Sequence, residues 1–338
     1  MAPIHGVPSA GEVVGGKYIL RECIGEGGMG IVFLADHASL GRRVAIKLLQ
    51  PALATYDTLV RRFHTEAVAA CRVQHPGAVA IIDCGTTAEG IPFIAMEHVP
   101  GRLLSAVIAE EEISLPRALK IIQQLLCTLK AAHANGVIHA DIKSDNIIVE
   151  HTADGDAVTL IDFGLARIEG RLDHDHGNGN LVSGTPEYMA PELVRGEPST
   201  VATDLYGVGV MLYELLTGQT PFEGGSTEEV LLRQLEDDAV PPSLQRPDRD
   251  IPAVLDQIVL RALHKDPRAR FANAGELARA LAAVSRVGAR PGTALDQLEE
   301  PFDLIAAGRP RGAPSAQEIP TSHELPRLLH EAPLKKAS

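Results

Sequence analysis

Residues 137–146 read VIHADIKSDN, and this stretch constrains the chain more than any other. It carries four chemically active side chains at the spacing H-x-D-x-K-x-x-N, namely His139, Asp141, Lys143 and Asn146. A short loop with this spacing brings a carboxylate, an ammonium and an amide together, which suits proton abstraction, phosphate binding and metal binding. The alternative interpretation is a turn after an amphipathic helix, in which Asp and Asn serve only as turn formers.

A further acidic position follows 16 residues after Asn146. The run from Val158 to Ile161 predicts a buried strand, and Asp162 begins the tripeptide D-F-G directly after it. We therefore expect the Asp162 carboxylate at the end of a strand, facing the same space as the loop around Asp141. Because hard cations prefer oxygen ligands, a carboxylate placed there is suited to bridge Mg²⁺ to phosphate oxygens.

Near the N-terminus, residues 24–32 contain the spacing G-x-G-x-x-G-x-V. A lone G-x-G-x-x-G would first suggest a dinucleotide-binding fold, in which the glycines open a helix. Here the β-type run from Ile31 to Ala35 follows, so we expect the glycines at the tip of a strand–turn–strand hairpin. Backbone N–H groups at such a tip can close over phosphates because no side chains intervene.

The run from Val44 to Lys47 reads V-A-I-K and predicts a strand with one inward-facing lysine. In isolation, Lys47 would be interpreted as a solvated residue at a strand edge. Combined with the glycine hairpin and the two acidic motifs, it is better interpreted as a phosphate-binding residue.

Along the chain the four motifs occur in the order glycine hairpin, V-A-I-K, H-x-D-x-K-x-x-N and D-F-G. In this order they resemble the eukaryotic-type serine/threonine protein kinases that are also widespread in bacteria, in a variant with H-A-D for H-R-D. The resemblance runs from about Tyr18 to Val284. It implies an α+β, bilobal protein-kinase-like fold, with a small antiparallel β-sheet N-lobe containing one helix and a larger, mainly α-helical C-lobe. The implied domains are a flexible N-terminal segment over 1–17, a kinase domain over 18–284 (N-lobe 18–96, C-lobe 100–284) and a Pro-rich, disordered tail over 285–338.

Hydrophobic periodicity agrees with this division into lobes. In the N-terminal part, β-type runs alternate with one predicted helix over 57–73. From residue 115 onward the pattern is mainly helical, and it predicts helices over 116–135, 202–217, 227–237, 253–264 and 274–284.

The resemblance implies a role for each motif residue. Lys47, held by Glu66, grips the α and β phosphates of ATP, while Asn146 and Asp162 hold Mg²⁺. Asp141 orients and deprotonates the acceptor hydroxyl, and Lys143 neutralises the transferred phosphoryl group. By resemblance, Met96 is the gatekeeper residue that precedes the interlobe hinge. The nucleotide is expected to contact the glycine hairpin, the inner face of the small sheet, the hinge and one residue of the large lobe. The expected contact residues are Ile24, Gly25, Glu26, Gly27, Gly28, Met29, Gly30, Val32, Ala45, Lys47, Met96, Glu97, Val99 and Ile148.

Residues 184–192, GTPEYMAPE, resemble the substrate-positioning loop of the family. Within it, Thr185 is implied to contact Asp141 and Lys143, and Tyr188 to be structural. Glu192 is implied to form a buried ion pair with Arg270. This pair would tie the loop to the large lobe.

Two positions depart from the family pattern, since Ala140 replaces an Arg and Ser144 replaces a Pro. The missing Arg would otherwise pair with a phosphorylated activation loop, so the hypothesis is activity without loop phosphorylation. Ser183 is the one plausible switch site, and Arg167 is the alternative partner for a phosphate. An Asp-His-Asp-His run over 173–176 is interpreted as a solvated turn, with metal binding as the alternative.

The implied function is transfer of the γ-phosphoryl group of ATP, with Mg²⁺, to Ser/Thr hydroxyls of protein substrates in signalling. Lys143, two residues after Asp141, is the Ser/Thr-specific form of the loop. One alternative is a catalytically weak or dead kinase-like scaffold, against which the intact motif set argues. The other is a small-molecule phosphotransferase, a class that lacks the A-P-E segment and its Arg partner.

The composition of the chain limits the classes of partner that it is expected to bind. The net charge of −13 argues against nucleic acid and anionic membranes, and it is compatible with basic substrates, although solubility is a simpler explanation. No apolar segment approaches the roughly 20 residues that span a bilayer, so we expect a cytoplasmic protein. The four cysteines lack metal spacing and are expected to be reduced and mostly buried. In the tail, docking of one apolar cluster on the kinase or on a partner is the alternative to disorder.

Overall fold

The computed structural model describes residues 9–163, 167–168 and 185–288, with the backbone alone described at 167–168 and 285–288. The chain divides into two units, residues 1–293 and 294–338, and every described residue belongs to the first. The predictions for the tail beyond residue 288 therefore lie outside the described residues. None of the helices in the described ranges is both long enough and apolar enough to cross a membrane.

The N-terminal part forms a six-stranded antiparallel sheet with strand order β1-β2-β3-β4-β6-β5. One helix, α1 (Asp57–Arg72), lies between β4 and β5 in the chain. The strands are β1 (Val13–Val14), β2 (Tyr18–Glu26), β3 (Gly30–His37), β4 (Arg43–Leu49), β5 (Ile81–Thr86) and β6 (Pro92–Glu97).

The register of this sheet assigns its two faces. Val32 of β3 and Ile94 of β6 both lie opposite Lys47, while Met96 lies opposite Ala45. Because facing residues in antiparallel strands and alternate residues within one strand share a face, these five side chains lie on one face of the sheet. The other face carries a separate apolar cluster that includes Tyr18, Leu20, Phe33, Ile46 and Phe93.

The C-terminal part is mainly helical and is built around α5, which is buried at nearly every position from Thr203 to Thr217. Its apolar sequence explains this burial, since a helix that is hydrophobic all round belongs in a core. A capping box formed by Thr200 and Thr203 starts the helix, and Gly218 with φ 81° ends it. The helices are α2 (Leu104–Glu110), α3 (Leu115–Ala134), α4 (Pro191–Val194), α5 (Val201–Thr217), α6 (Thr227–Glu236), α7 (Pro242–Gln245), α8 (Ala253–Ala262) and α9 (Ala274–Gly288).

The C-terminal part also contains five short strands in its described residues. They form a three-stranded sheet of order β10-β9-β7 and a pair of β11 with β8. The strands are β7 (Arg102–Leu103), β8 (Val137–Ile138), β9 (Ile147–Thr152), β10 (Gly155–Leu160) and β11 (Arg167–Ile168). Along the chain, the β9–β10 hairpin connects the H-x-D-x-K-x-x-N loop to Asp162.

This architecture matches the predicted α+β bilobal fold, and all six predicted helices are present with ends that differ by up to four residues. Sequence patterns missed α2, α4 and α7, because helices of four to seven residues are too short to show a period. Helix α9 continues to Gly288, beyond the predicted domain end at residue 284.

Two expectations need correction. Flexibility over 1–17 does not hold for β1, because Val14 is 1% exposed, pairs with Tyr18 and belongs to the same apolar cluster as Tyr18. The four cysteines are free, as expected, but none is fully buried: Cys23 and Cys71 are exposed, and Cys84 and Cys127 are half-buried.

Candidate active site

The glycine-rich segment is the turn between β2 and β3, as the sequence predicts. At its tip the N–H of Gly27 donates to the carbonyl of Gly30 at 2.9 Å. A Cβ atom on Gly30 would lie 2.4 Å from the carbonyl oxygen of Leu48, so this close approach of β3 to β4 requires glycine. Gln50, which no sequence pattern singles out, donates through its side chain to the carbonyl of Gly27 at 2.9 Å and so supports the turn.

Lys47 joins three separate parts of the chain. Its Nζ lies 2.6 Å from Oε1 of Glu66 on α1 and 2.9 Å from Oδ1 of Asp162, which follows β10. The side chains of Lys47 and Glu66 are 9% and 6% exposed, whereas that of Asp162 is 40% exposed and opens towards solvent. The predicted Lys47–Glu66 contact is thus present, and Asp162 shares the same ammonium.

Burial and charge shift the pKa values of this group. Burial raises the pKa of Glu66 to about 7, against the lowering effect of Lys47, and the nearby charge of Asp162 adds to the rise. Burial lowers the pKa of Lys47, but the two carboxylates outweigh it and raise that pKa above its ordinary value. Two carboxylates share one ammonium, so the cluster favours a further cation.

The loop around Asp141 is ordered by its own side chains. Asn146 donates through Nδ2 to the backbone carbonyl of Asp141 at 2.8 Å and to its Oδ2 at 3.0 Å. Lys143 Nζ lies 3.1 Å from the same carboxylate. The backbone carbonyl of Asn146 accepts from the N–H of Ile161 at 2.8 Å, which fixes the loop beside the residue that precedes Asp162.

Asp204 anchors this loop from the first turn of α5. Its Oδ2 accepts from the backbone N–H of His139 at 2.9 Å and lies 2.7 Å from Nε2 of His133, while Oδ1 accepts from the N–H of Ala140 at 2.7 Å. Ala140 adopts φ 63°, a left-handed conformation that these contacts impose. The sequence signal for this role is a carboxylate that opens an otherwise apolar helix, but nothing local identifies its partners.

The substrate-positioning loop contacts the loop around Asp141 (residues 139–146, hereafter the catalytic loop) at two points. Lys143 Nζ donates to Oγ1 of Thr185 at 2.9 Å, so that part of the implied Thr185 contact is present. The hydroxyl of Tyr188 donates to the carboxylate of Glu214 on α5 and lies 3.2 Å from Oγ of Ser144. Burial, together with the charge of Glu214, raises the pKa of Tyr188 well above its ordinary value, so the phenol stays a donor.

The far end of that loop is held by a buried ion pair. Arg270 donates through Nη1 and Nη2 to the two carboxylate oxygens of Glu192, each at 2.8 Å. Thr203 of the α5 capping box donates to the same carboxylate at 2.9 Å. The predicted pair is therefore confirmed.

The predicted hinge follows β6 and passes close to β9. The N–H of Glu97 donates to the carbonyl of Ala80 at 2.9 Å, while in the described part of the chain the N–H of Val99 meets no acceptor. Gly101 adopts φ 121°, and a Cβ there would lie 2.5 Å from the carbonyl oxygen of Val149, so glycine lets the chain cross β9 next to Ile148.

Other predictions lie outside the described residues. They concern Gly164, the Asp-His-Asp-His run over 173–176, and Ser183. Only the backbone of Arg167 is described, so its role as the alternative partner of a phosphate stays a prediction.

Comparison with known proteins identifies the family. The model of the protein kinase domain matches residues 18–281. The chain is 40% identical over 280 residues to serine/threonine-protein kinase pkn3 of Myxococcus xanthus, and 37% identical over 265 residues to PknB of Mycobacterium tuberculosis (strain ATCC 25618 / H37Rv). These matches take 82% and 77% of this chain but 51% and 42% of the relatives, so the chain spans about half the length of the curated relatives or less.

Among solved structures, the PknI kinase domain of Mycobacterium tuberculosis is similar, with a TM-score of 0.64 and 27% sequence identity. That match covers 82% of this chain and 99% of the PknI chain. The sequence, the fold and the arrangement of the site agree, and this chain belongs to the protein kinase domain family.

Proposed function

We propose that this chain transfers the γ-phosphoryl group of ATP to Ser or Thr hydroxyls of protein substrates. One observation carries the proposal: the ammonium of Lys47 contacts both Glu66 and Asp162 at 2.6 and 2.9 Å. A strand lysine, a helix glutamate and the carboxylate after β10 therefore converge on one point beneath the glycine hairpin. Relatives named as serine/threonine-protein kinases support the same activity.

The nucleotide would lie against the inner face of the small sheet. Val32, Ala45 and Met96 share that face with Lys47, which supports an adenine site between them and Ile148. The N–H of Val99, which meets no acceptor among the described residues, is suited to the adenine edge. The backbone of the glycine hairpin would cover the phosphates.

Mg²⁺ fits the donor set of the site. Both hydrogen bonds made by the Asn146 amide use Nδ2, which directs its oxygen away from Asp141. The Asp162 carboxylate is part of a cluster with an excess of negative charge, and the described residues include no group of three or more His, Cys, Asp or Glu that could hold a metal ion. Two protein ligands suit Mg²⁺, which keeps waters and substrate phosphates in its shell. When bound, it neutralises charge on those phosphates.

Asp141 and Lys143 would act on the acceptor. The Asp141 carboxylate, oriented by Asn146, accepts the proton of the acceptor hydroxyl. Lys143, between Asp141 and Thr185, offsets charge on the transferred group and ties the catalytic loop to the loop that receives the substrate.

The two alternatives explain the structure less well. A dead scaffold would need neither the contacts of Lys47 with Glu66 and Asp162 nor the hydrogen bond from Asn146 to Asp141. The buried Glu192–Arg270 pair belongs to the loop that a small-molecule phosphotransferase lacks.

The test is transfer of radiolabel from ATP to dephosphorylated casein, with and without Mg²⁺, followed by phosphoamino-acid analysis. Wild-type protein should label Ser or Thr only when Mg²⁺ is present, and Asp141→Asn should lower the rate on the order of 10²-fold or more. Asp154→Asn, the same change on the exposed β9–β10 turn, serves as the control. A wild-type rate in Asp141→Asn would overturn the catalytic assignment.

A further inference from the structure

Helix α6 lies mostly in solvent, yet one of its polar side chains is completely buried. Val230 and Gln234 are its buried residues, one turn apart on the same face, and Gln234 is 0% exposed. A buried amide costs free energy unless its donors and acceptor are all paired. The partners of Gln234 therefore show what this side chain is for.

The Gln234 amide bonds to the substrate-positioning loop. Its Nε2 donates to the backbone carbonyl of Pro186 at 3.1 Å and to that of Glu187 at 2.7 Å. Its Oε1 accepts from the hydroxyl of Tyr206 on α5. Only the amino end of the amide can donate to two carbonyls, so the partners fix its orientation.

These two carbonyls lie between the contacts that link the substrate-positioning loop to the loop around Asp141 and to α5. Thr185, immediately before them, accepts from Lys143, and Tyr188, immediately after them, reaches Ser144 and Glu214. A displacement of the backbone at 186–187 would therefore move both contacts together. Gln234 holds the centre of the segment, 47 residues away from Glu187 in sequence.

The helix that carries Gln234 and the tyrosine that binds its amide oxygen each make further contacts. Lys265 Nζ donates to the backbone carbonyl of Gln234 at 2.9 Å and lies 3.9 Å from the ring centre of Phe222, which fixes the C-terminal end of α6. The Tyr206 ring lies 4.7 Å from the guanidinium of Arg270, the residue that binds Glu192. The amide of Gln234 thus links α6 to Tyr206 on α5 and, at the same time, to the substrate-positioning loop.

We propose that Gln234 is a positioning residue for the protein substrate, fixing the backbone at 186–187 so that the acceptor hydroxyl meets Asp141 correctly. The inference rests on the proposed kinase function. It predicts that loss of the amide donors impairs use of the protein acceptor and leaves use of ATP unchanged, because the contacts of Lys47, Glu66 and Asp162 lie on other elements.

The experiment compares the purified full chain with Gln234→Glu. The substituted carboxyl has the same shape but at most one proton for two carbonyl oxygens, so at least one of them loses its donor and the loop shifts. We expect kcat/KM for dephosphorylated casein to fall roughly tenfold to a hundredfold, mainly through KM. The KM for ATP and the rate of ATP hydrolysis without acceptor should stay within about twofold of wild type. Displacement of the phosphate-binding groups would change these two parameters by more than that.

Gln124→Glu is the matched control. Gln124 on α3 also binds backbone through its amide, donating to the carbonyl of Asp156 at 2.8 Å and accepting from the N–H of Val158 at 3.2 Å, on an element away from the loop. It should lose stability like Gln234→Glu but keep the KM for casein. Tyr206→Phe, which removes only the hydroxyl that orients the amide, should raise the KM for casein by about two- to fivefold.

An unchanged KM for casein in Gln234→Glu would overturn the inference. So would an equal loss in the casein and ATP parameters, because that result indicates a general structural role. If the wild-type chain labels no acceptor, the proposed function itself fails, and that outcome is visible before any variant is compared.

Discussion

The carboxylate of Glu192 and the guanidinium of Arg270, 78 residues apart in sequence, form two parallel hydrogen bonds of 2.8 Å each. The two side chains are 2% and 0% exposed. Arg270 also donates to the carbonyls of His264 and Ala202, so the pair connects the end of the substrate-positioning loop to α5 and to the turn before α9. Bidentate geometry with the remaining donors paired is the arrangement in which burying an ion pair costs least.

Arg270→Ala should strongly destabilise the protein. The substitution leaves the Glu192 carboxylate buried without its cation, which costs roughly 3–5 kcal/mol in comparable pairs. Differential scanning calorimetry should show a clear fall in Tm. Arg268→Ala, two residues earlier and exposed, is the control and should keep the wild-type Tm. Equal melting temperatures for the two variants would contradict a stabilising role for the pair.

The same pair predicts a pH dependence. Burial raises the pKa of Glu192, but the hydrogen bonds and charge of Arg270 outweigh it and hold that pKa below its ordinary value of 4.5. A carboxylate with a depressed pKa contributes stability above its unfolded pKa, and this contribution is lost as the pH falls below about 4.5. The difference in unfolding free energy between wild type and Glu192→Gln should therefore be constant near neutrality and shrink in acid. A difference that grows on acidification would refute the assignment.

Local motifs predicted the groups of the site better than they predicted what holds those groups in place. The glycine hairpin, the V-A-I-K strand and Asp162 after β10 were all identifiable, because each is a short pattern within one element. The pairing of Glu66 with Lys47 and of Arg270 with Glu192 came from the family resemblance, since no local pattern joins residues so far apart.

The supporting residues could not be predicted for a physical reason. Asp204 binds His133, His139 and Ala140, which lie 64 to 71 residues earlier in the chain, and Gln234 reaches a loop 47 or 48 residues earlier. Such contacts depend on how helices pack, and periodicity reports only which face of a helix is apolar. The sequence signals are a carboxylate that opens the apolar helix α5 and a Gln four residues after Val230 on one face of α6, and neither signal identifies a partner.

Lys47→Ala should abolish phosphoryl transfer. It removes the ammonium that contacts Glu66 and Asp162 and leaves two carboxylates facing each other. Loss of one such electrostatic group costs on the order of 10²-fold or more in rate, measurable with radiolabelled ATP and casein. Lys17→Ala removes a lysine that also pairs with a carboxylate, Asp83, but on the exposed surface. That control should retain the wild-type rate, and comparable losses in both variants would argue against a specific role for Lys47.

Asp204→Asn should lower both stability and activity. One carboxylate oxygen becomes an amino group that faces either His133 and the N–H of His139 or the N–H of Ala140. An unpaired buried donor costs about 1–3 kcal/mol, and the loop that carries Asp141 loses its anchor. Urea unfolding should show the loss of stability, with Asp154→Asn as the exposed control. A wild-type midpoint together with a wild-type rate would show that the loop needs no such anchor.

Ala140→Gly should stabilise the protein slightly, although Gly is normally the less stabilising residue. Asp204 holds the N–H groups of His139 and Ala140, and φ of Ala140 is consequently 63°. The left-handed conformation costs a residue with a Cβ roughly 1–2 kcal/mol, whereas glycine adopts it freely and loses about 0.5–1 kcal/mol more chain entropy on folding. The expected net gain is about 0.5–1 kcal/mol in the free energy of unfolding, because the relieved strain exceeds the entropy loss.

The matched control for this last change is Ala278→Gly within α9, where the backbone is helical. There the same substitution relieves no strain and should cost about 1 kcal/mol. Chemical denaturation of both variants therefore tests a difference in sign rather than in size. If Ala140→Gly destabilised the protein as much as Ala278→Gly, the strain at residue 140 would be absent in solution. The hydrogen bonds from Asp204 would then not dictate the conformation of the loop that carries Asp141.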